Sequence, residues 1–257
     1  MQNRAYINHQ PLVTPAVRKV DASAPLRWLA MGWEDFRYKP LLSGFFGLAF
    51  ILAGAAVTIA TWQNNVLVMT FVTGFFLIAP FLCLGLYDLS RQREMTGSYR
   101  LWPSLTAFLR QRRDMALLVV FQALVMIAWI RLVSLMSALY VINTGSSVTV
   151  LFEQLFTSGE GLGFLAVFVL AGAALAALVF ITSVVAWPML LHGSSGVLIA
   201  MITSYKAVMA NKPVMVIWAC LIVSLVLVGF ATAFVGLLVI LPVIGHATWH
   251  AYRELVE

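Results

Sequence analysis

Residues 76–92 read Phe76-Leu-Ile-Ala-Pro80-Phe-Leu-Cys83-Leu-Gly85-Leu-Tyr87-Asp-Leu-Ser-Arg91-Gln, the close of a long apolar run with a proline set shortly before its charged end. Two other runs close in the same way: Val184-Val-Ala-Trp-Pro188-Met-Leu-Leu-His192-Gly193 and Val239-Ile-Leu-Pro242-Val-Ile-Gly245-His246-Ala-Thr-Trp249-His250. Proline lacks the backbone N–H and its ring clashes with the preceding turn, so Pro80, Pro188 and Pro242 are each expected to kink a helix near the same end. A shift of 108 residues carries Pro80 onto Pro188 and Gly85 onto Gly193. A shift of 162 carries Pro80 onto Pro242, Tyr87 onto Trp249 and Arg91 onto Arg253. The matched positions predict three copies of one kinked hairpin.

Composition identifies the solvent around these runs. Of 257 residues, 62% are hydrophobic and 10% charged, and the mean hydropathy is +0.95, the balance of a polytopic membrane protein. A bilayer core takes about 20 residues of helix. Runs of that length lie at 41–61, 65–89, 115–142, 162–188, 214–230 and 232–252. The last two form one nearly unbroken stretch that needs a tight turn near Gly229 to stay within the membrane thickness. The expected fold is therefore all-α: a polytopic transmembrane helix bundle of six spans, arranged as three pseudo-repeated hairpins. As one membrane domain, 25–257, it divides into hairpins at about 25–95, 101–194 and 196–257, after a flexible cytoplasmic tail, 1–24.

Charge placement orients the bundle. Fifteen of the 16 Lys and Arg residues fall before the first run, between the second and third, before the fifth or after the sixth. The intervening loops around 62–64, 143–161 and 229–231 carry none, so both termini are expected in the cytoplasm. The net charge of +6 then describes topology and contact with lipids, and nucleic acid is excluded as a partner because no soluble basic domain exists to carry it. The first apolar run starts some 40 residues in, so no cleaved leader is expected. Cys83 and Cys220 lie in apolar runs without metal spacing and read as small packing residues.

Three amphipathic stretches precede the hairpins. Leu26, Leu29, Trp33 and Phe36 recur at helical spacing beside Arg27, Glu34, Asp35, Arg37 and Lys39. A second stretch covers 104–112, with Ser104 as a cap, and a third covers 197–210 with Leu198, Met201, Ile202, Tyr205, Val208 and Met209. All three are expected to lie as interfacial helices in the headgroup plane.

The stretch Pro80–Glu94 and the ending Pro242–Arg253 resemble those of a family of bacterial integral membrane proteins, domain of unknown function 2189. The resemblance runs from about Trp28 onward. It implies a six-span protein of the bacterial inner membrane and supplies no catalytic residue.

Polar residues within the runs are the remaining candidates. His192 and His246 each stand four residues after a proline, and His246 and His250 are one helical turn apart. Imidazoles from facing helices can ligate a metal or a haem, so His192, His246 and His250 are the candidate metal ligands; the alternative is that each bonds a backbone carbonyl at a kinked helix end. No cofactor is named by the sequence. Arg131 is the basic residue inside a run, and its expected role is structural, snorkelling to the outer headgroups or pairing with Glu153 or Glu160. Pro80, Pro188, Pro242, Gly85, Tyr87 and Trp249 complete the structural set. Gly44, Gly47 and Gly54, with Ala171, Gly172, Ala173, Ala176 and Ala177, predict close helix approach.

Enzyme signatures are absent: there is no phosphate loop, no histidine-glutamate metalloprotease helix, and Gly193-Ser-Ser-Gly196 lacks a residue to activate a serine. Glu34-Asp35 and Asp88, beside several arginines, read as solvated ion pairs. The expectation is a non-enzymatic accessory or scaffold subunit of a membrane complex, with membrane lipids and other inner-membrane proteins as partners. A small-molecule or lipid transporter, and a haem- or metal-binding respiratory accessory protein, are the alternatives.

Overall fold

The computed structural model describes residues 14–61, 64–140, 148–193 and 196–256. Among the described residues the chain is helical, without a strand: α1 (Ala24–Tyr38), α2 (Pro40–Thr61), α3 (Asn65–Leu82), α4 (Leu84–Thr96), α5 (Leu101–Leu105), a 3-10 turn (Ala107–Gln111), α6 (Arg112–Leu139), α7 (Val148–Thr157), α8 (Gly159–Ser183), α9 (Ala186–His192), α10 (Val197–Ala210), α11 (Lys212–Ala231) and α12 (Leu237–Val256). Local chemistry sets several boundaries. The Asn64 side chain accepts from Leu67 N at 3.1 Å and starts α3, Ser158 does the same for Gly161 N at 2.9 Å and starts α8, and Gly97 at φ +69° ends α4.

Five helices or helix pairs are long and apolar enough to cross a membrane: Pro40–Thr61, Val66–Thr96, Ala107–Leu139, Gly159–His192 and Lys212–Ala231, with Val197–Ala210 a shorter apolar helix. The sixth expected span is not among them. The turn expected near Gly229 is present at 232–236, where Ala233 and Phe234 take left-handed backbones at φ 49° and 69° and Thr232 Oγ1 accepts from Gly236 N. Helix α12 then begins at Leu237, is apolar as far as Gly245, and carries His246, His250, Arg253 and Glu254 in its second half. Protein rather than lipid covers that half, because α1 and α4 pack along it.

The three prolines sit in three different settings, and the three hairpins are not shown to be copies of one another. The chain breaks at Cys83, three residues after Pro80, and at Val184–Val185, before Pro188. Pro188 thus lies in the first turn of α9, where its missing N–H leaves no intrahelical bond unmade. Pro242 lies inside α12, which runs on unbroken. The aligned glycines differ as well: Gly85 faces the Phe46 ring and Gly245 faces Leu86, whereas Gly193 faces open space.

One end of the bundle, hereafter the basic end, gathers α1, α4, α5, α9, α10 and the second half of α12. Its core buries Trp28, Trp187, Trp218 and Trp249. At the far end a second cluster buries Trp129, Val133, Phe164 and Phe168, closed by Leu151 and Leu155 of α7. Helix α7 corrects the expectation of a plain loop over 143–161; of that range, 141–147 lie outside the described residues, as do Ser194 and Ser195 of the Gly193–Gly196 motif. The segment expected to be a flexible tail is tied down over its described part. Arg18 N donates to Leu255 O at 2.8 Å, Val20 N donates to Asn211 Oδ1 at 3.0 Å, and Asn211 Nδ2 donates back to Arg18 O at 2.9 Å.

Close approach is made by some of the small residues. A Cβ on Gly47 would run into the Leu238 backbone, one on Gly172 would meet the Trp129 ring at 3.1 Å, and one on Gly44 would meet nothing. Between α2, α3, α6, α11 and the start of α12 an apolar groove of about 100 Å³ is lined by Phe50, Gly54, Phe75, Met126, Phe230 and Phe234.

Gln122 stands out inside α6. It is 2% exposed, and neither its Oε1 nor its Nε2 has a hydrogen-bond partner among the described residues. A buried amide in that state costs roughly 1–3 kcal/mol. Gln122→Leu, of similar volume, is therefore expected to raise the melting temperature in detergent. A lowered value would show instead that the amide holds a polar partner such as a bound water.

Candidate functional site: a closed polar cluster at the basic end

The cluster is centred on Asp35. Helix α1 buries Ala24, Trp28, Gly32 and Asp35, one stripe at helical spacing, and at Gly32 a Cβ would lie only 2.5 Å from Val243 O. This tight approach to α12 brings Asp35 against His246 and His250. Asp35 Oδ1 takes Arg93 Nη1 at 2.5 Å, and Oδ2 takes His250 Nε2 at 3.0 Å and the Ser90 hydroxyl.

The hydrogen bonds order the whole chain of groups. Ser90 directs its O–H to Asp35, so its oxygen accepts from His246 Nδ1–H at 2.7 Å. His246 is thereby held as the Nδ1–H tautomer, with Nε2 free to accept the Ser43 hydroxyl at 2.9 Å. Every donor from Ser43 inward points toward one carboxylate. Burial works to raise the Asp35 carboxyl, but the His250 hydrogen bond, the neighbouring His246 and His250 rings and the Ser90 hydroxyl outweigh it and hold the group at about 2. Tyr99 closes the cluster, donating from its hydroxyl to Asp35 O at 3.0 Å and stacking on His246 with ring centroids 6.0 Å apart. Burial pushes that hydroxyl well up, so it stays a donor.

A second cluster surrounds Asp88, which is wholly buried. Arg91 pairs with it at 2.9 Å, Arg110 binds both its oxygens, and Gln92 and Ser104 donate to Oδ2 at 2.7 and 3.0 Å. It clamps α4 onto α5 and the 3-10 turn. Glu94 holds Trp249 Nε1 at 2.9 Å and Arg253 at 2.9 Å, which fastens α4 to α12. At the N-terminal edge Glu254 receives Trp28 Nε1 at 2.7 Å and Arg27 at 2.6 Å.

These geometries overturn the view of Asp35 and Asp88 as solvated pairs. Both carboxylates are enclosed because α1, α4, α5 and α12 stack their polar faces against one another. The candidate ligands are engaged in different places. His246 sits between Ser43 and Ser90, His250 bonds Asp35, and His192 Nδ1 lies 3.1 Å from Tyr252 Oη. Among the described residues no group of three or more His, Cys, Asp or Glu side chains is placed to hold a metal ion. Arg131 is exposed on α6 and forms no ion pair with Glu153 or Glu160 among the described residues. Tyr87 and Trp249 are buried in the basic-end core, while Cys83 is buried and Cys220 exposed.

Residues 67–192 match the family described as predicted integral membrane protein (DUF2189). The match spans α3 to α9 and does not reach the Pro242–Arg253 ending that also carried the resemblance. No curated protein and no solved structure matches the chain. The DUF2189 segment contains the whole Asp88 cluster, and it supplies Ser90, Arg93 and Tyr99 to the Asp35 cluster. Asp35, Ser43, His246 and His250 come from outside it. The Asp35 cluster is thus the joint between the DUF2189 segment and the two flanks of the chain.

Ser43, Ser90, Tyr99, Gln92 and Asn211 went unnoticed in the sequence, and Ser104, expected as a helix cap, lies inside α5 and donates to Asp88 instead. Asp35 had one signal, since it continues the Trp28, Gly32 spacing by three residues. Ser43 and Ser90 had none, because a serine in a long helix most often bonds its own backbone.

Proposed function

We propose that this chain is a non-enzymatic accessory or scaffold subunit of a membrane complex in the bacterial inner membrane, with both termini cytoplasmic and α12 returning as the sixth crossing. The observation that carries this reading is the closure of the polar clusters. Asp35 and Asp88 have both oxygens engaged inside the protein, and the groove among the spanning helices is lined by apolar side chains apart from Thr58, whose hydroxyl donates to Gly54 O. A site that turns over substrate needs a reactive group in a cleft, and a transporter needs a polar track through its spans. The hydrogen bonds here act as fasteners between helices, the property a scaffold requires.

Blue-native electrophoresis of membranes solubilised in mild detergent tests it. The tagged chain should migrate in a species far larger than 28.3 kDa plus a micelle, with defined partner subunits in fixed stoichiometry. The breaks at Cys83 and at Val184–Val185 favour transport as the second reading, because discontinuous helices recur in transporters. Migration as a lone chain together with solute flux in liposomes would select it. A Soret band in the purified protein that vanishes in His192→Ala or His246→Ala would select the haem reading. For orientation, reporters fused at Asn64 and at the C-terminus should report outside and inside respectively.

A further inference from the structure

The arginines of the basic end divide into two groups. Arg27, Arg91, Arg93, Arg110 and Arg253 are held by carboxylates. Arg18, Arg37, Arg100, Arg112 and Arg113 are exposed and form no ion pair among the described residues, and the last three bracket α5 and the 3-10 turn, a stretch whose 100–113 sequence contains no acidic residue. The nearby acids face elsewhere: Asp88 binds Arg110, Asp114 accepts from Val197 N at 2.9 Å, and Glu94 binds Arg253. Three guanidinium charges of this stretch are left without an internal counter-charge.

The same stretch turns large apolar side chains outward. Trp102 is 74% exposed, Leu109 62% and Leu105 46%, while Ser104 and Ala107 face inward. The Asp88 cluster makes the platform rigid, since Arg110, Gln92 and Ser104 all converge on one buried carboxylate. The stretch overlaps the first residues of the candidate span Ala107–Leu139, which places it where hydrocarbon gives way to headgroups. Outward Trp and Leu flanked by uncompensated arginines have the chemistry to contact acyl chains and phosphodiesters together.

We propose that residues 100–113 form a docking surface for anionic phospholipid, with Trp102, Leu105 and Leu109 seated among acyl chains and Arg100, Arg112 and Arg113 engaging the headgroup phosphates. Complementary charge selects this occupant. An arginine near an anionic surface contributes about a fivefold preference, so three give an upper bound of about a hundredfold.

Native mass spectrometry of the full chain in detergent, titrated with phosphatidylglycerol or with phosphatidylcholine of the same acyl chains, tests the surface. The wild type should favour phosphatidylglycerol by about tenfold or more, and R100Q/R112Q/R113Q should reduce that preference to about threefold or less. Arg131→Gln, at the far end, should leave it within about twofold of wild type. Trp102→Ala should weaken both lipids alike. Should the triple variant misfold by circular dichroism, R112Q and R113Q singly should each lose about fivefold. Equal binding of the two lipids by the wild type, an unchanged preference in the arginine variants, or a loss that follows Arg131 instead would overturn the proposal.

Discussion

Asp35→Ala is expected to destabilise the protein by several kcal/mol. The carboxylate receives Arg93, His250 and Ser90, and through Ser90 it orders His246 and Ser43. Its removal leaves buried donors aimed at a void. Breaking a buried ion pair from one side costs about 3–5 kcal/mol. Arg93 keeps 33% of its side-chain surface in water, which lowers the expectation to roughly 2–4 kcal/mol. Thermal unfolding in detergent should show a fall in Tm of about 5–15 °C. Asp35→Asn should cost less, because the amide oxygen still accepts one donor, and Ser43→Ala should cost about 1 kcal/mol, the worth of one hydrogen bond at the end of the chain. A shift below 2 °C for Asp35→Ala would mean that the cluster does not fasten these helices.

The pH dependence has a definite sign. Asp35 is held at about 2 in the folded protein against an ordinary 3.8. A lowered carboxylate stabilises the fold above the unfolded value and loses that contribution as pH falls through the folded one. The Tm gap between wild type and Asp35→Asn should therefore stay open at neutral pH and close as pH falls from about 4 toward 2. A gap that stayed unchanged down to pH 2 would show that the folded protein does not hold Asp35 as a lowered carboxylate.

The second large effect concerns backbone approach. Helix α12 lies along α1 at Gly32 and along α2 at Gly47, and at both places a Cβ would collide with main-chain atoms of α12. Side chains can rotate away from such a collision. A helix backbone cannot. Gly32→Ala and Gly47→Ala are each expected to cost about 1–3 kcal/mol or more by displacing α12, and the double variant should lose the basic-end core. Loss should appear as protease cleavage near 14–23 and 250–256, the segments joined through Arg18 and Leu255. Gly44→Ala is the control. Nothing lies within 4 Å of its Cβ position, so it should be neutral or stabilise by up to about 1 kcal/mol through better helix propensity. Equal effects at Gly44 and Gly47 would remove close packing as the cause.

Legibility differed between elements for physical reasons. The helices α2, α3, α6, α8 and α11 were readable because a membrane crossing demands a long local run of apolar residues. The short helices α1 and α10 were also readable. On α1 the stripe expected to lie in the headgroup plane, Leu26 and Trp33 among it, is exposed, while a second stripe, Ala24, Trp28 and Gly32, that the apolar spacing did not single out packs inward. Amphipathic spacing finds a face. It does not say whether lipid or protein covers it. Helix α7 was missed because it lies in a region expected to be loop, where tertiary packing of Leu151 and Leu155 decides the outcome.

What the sequence by itself determined is what depends on neighbours along the chain: helix after helix, the apolar lengths that meet a bilayer, and the collection of arginines toward one end. Tertiary structure alone decided which charges are enclosed. Asp35 and His246 are separated by more than two hundred residues, and only the seating of α12 against Gly32 and Gly47 brings them to a shared serine. The differing settings of Pro80, Pro188 and Pro242 were decided in the same way, since a proline removes one donor wherever it stands and the surrounding helices determine whether a break follows.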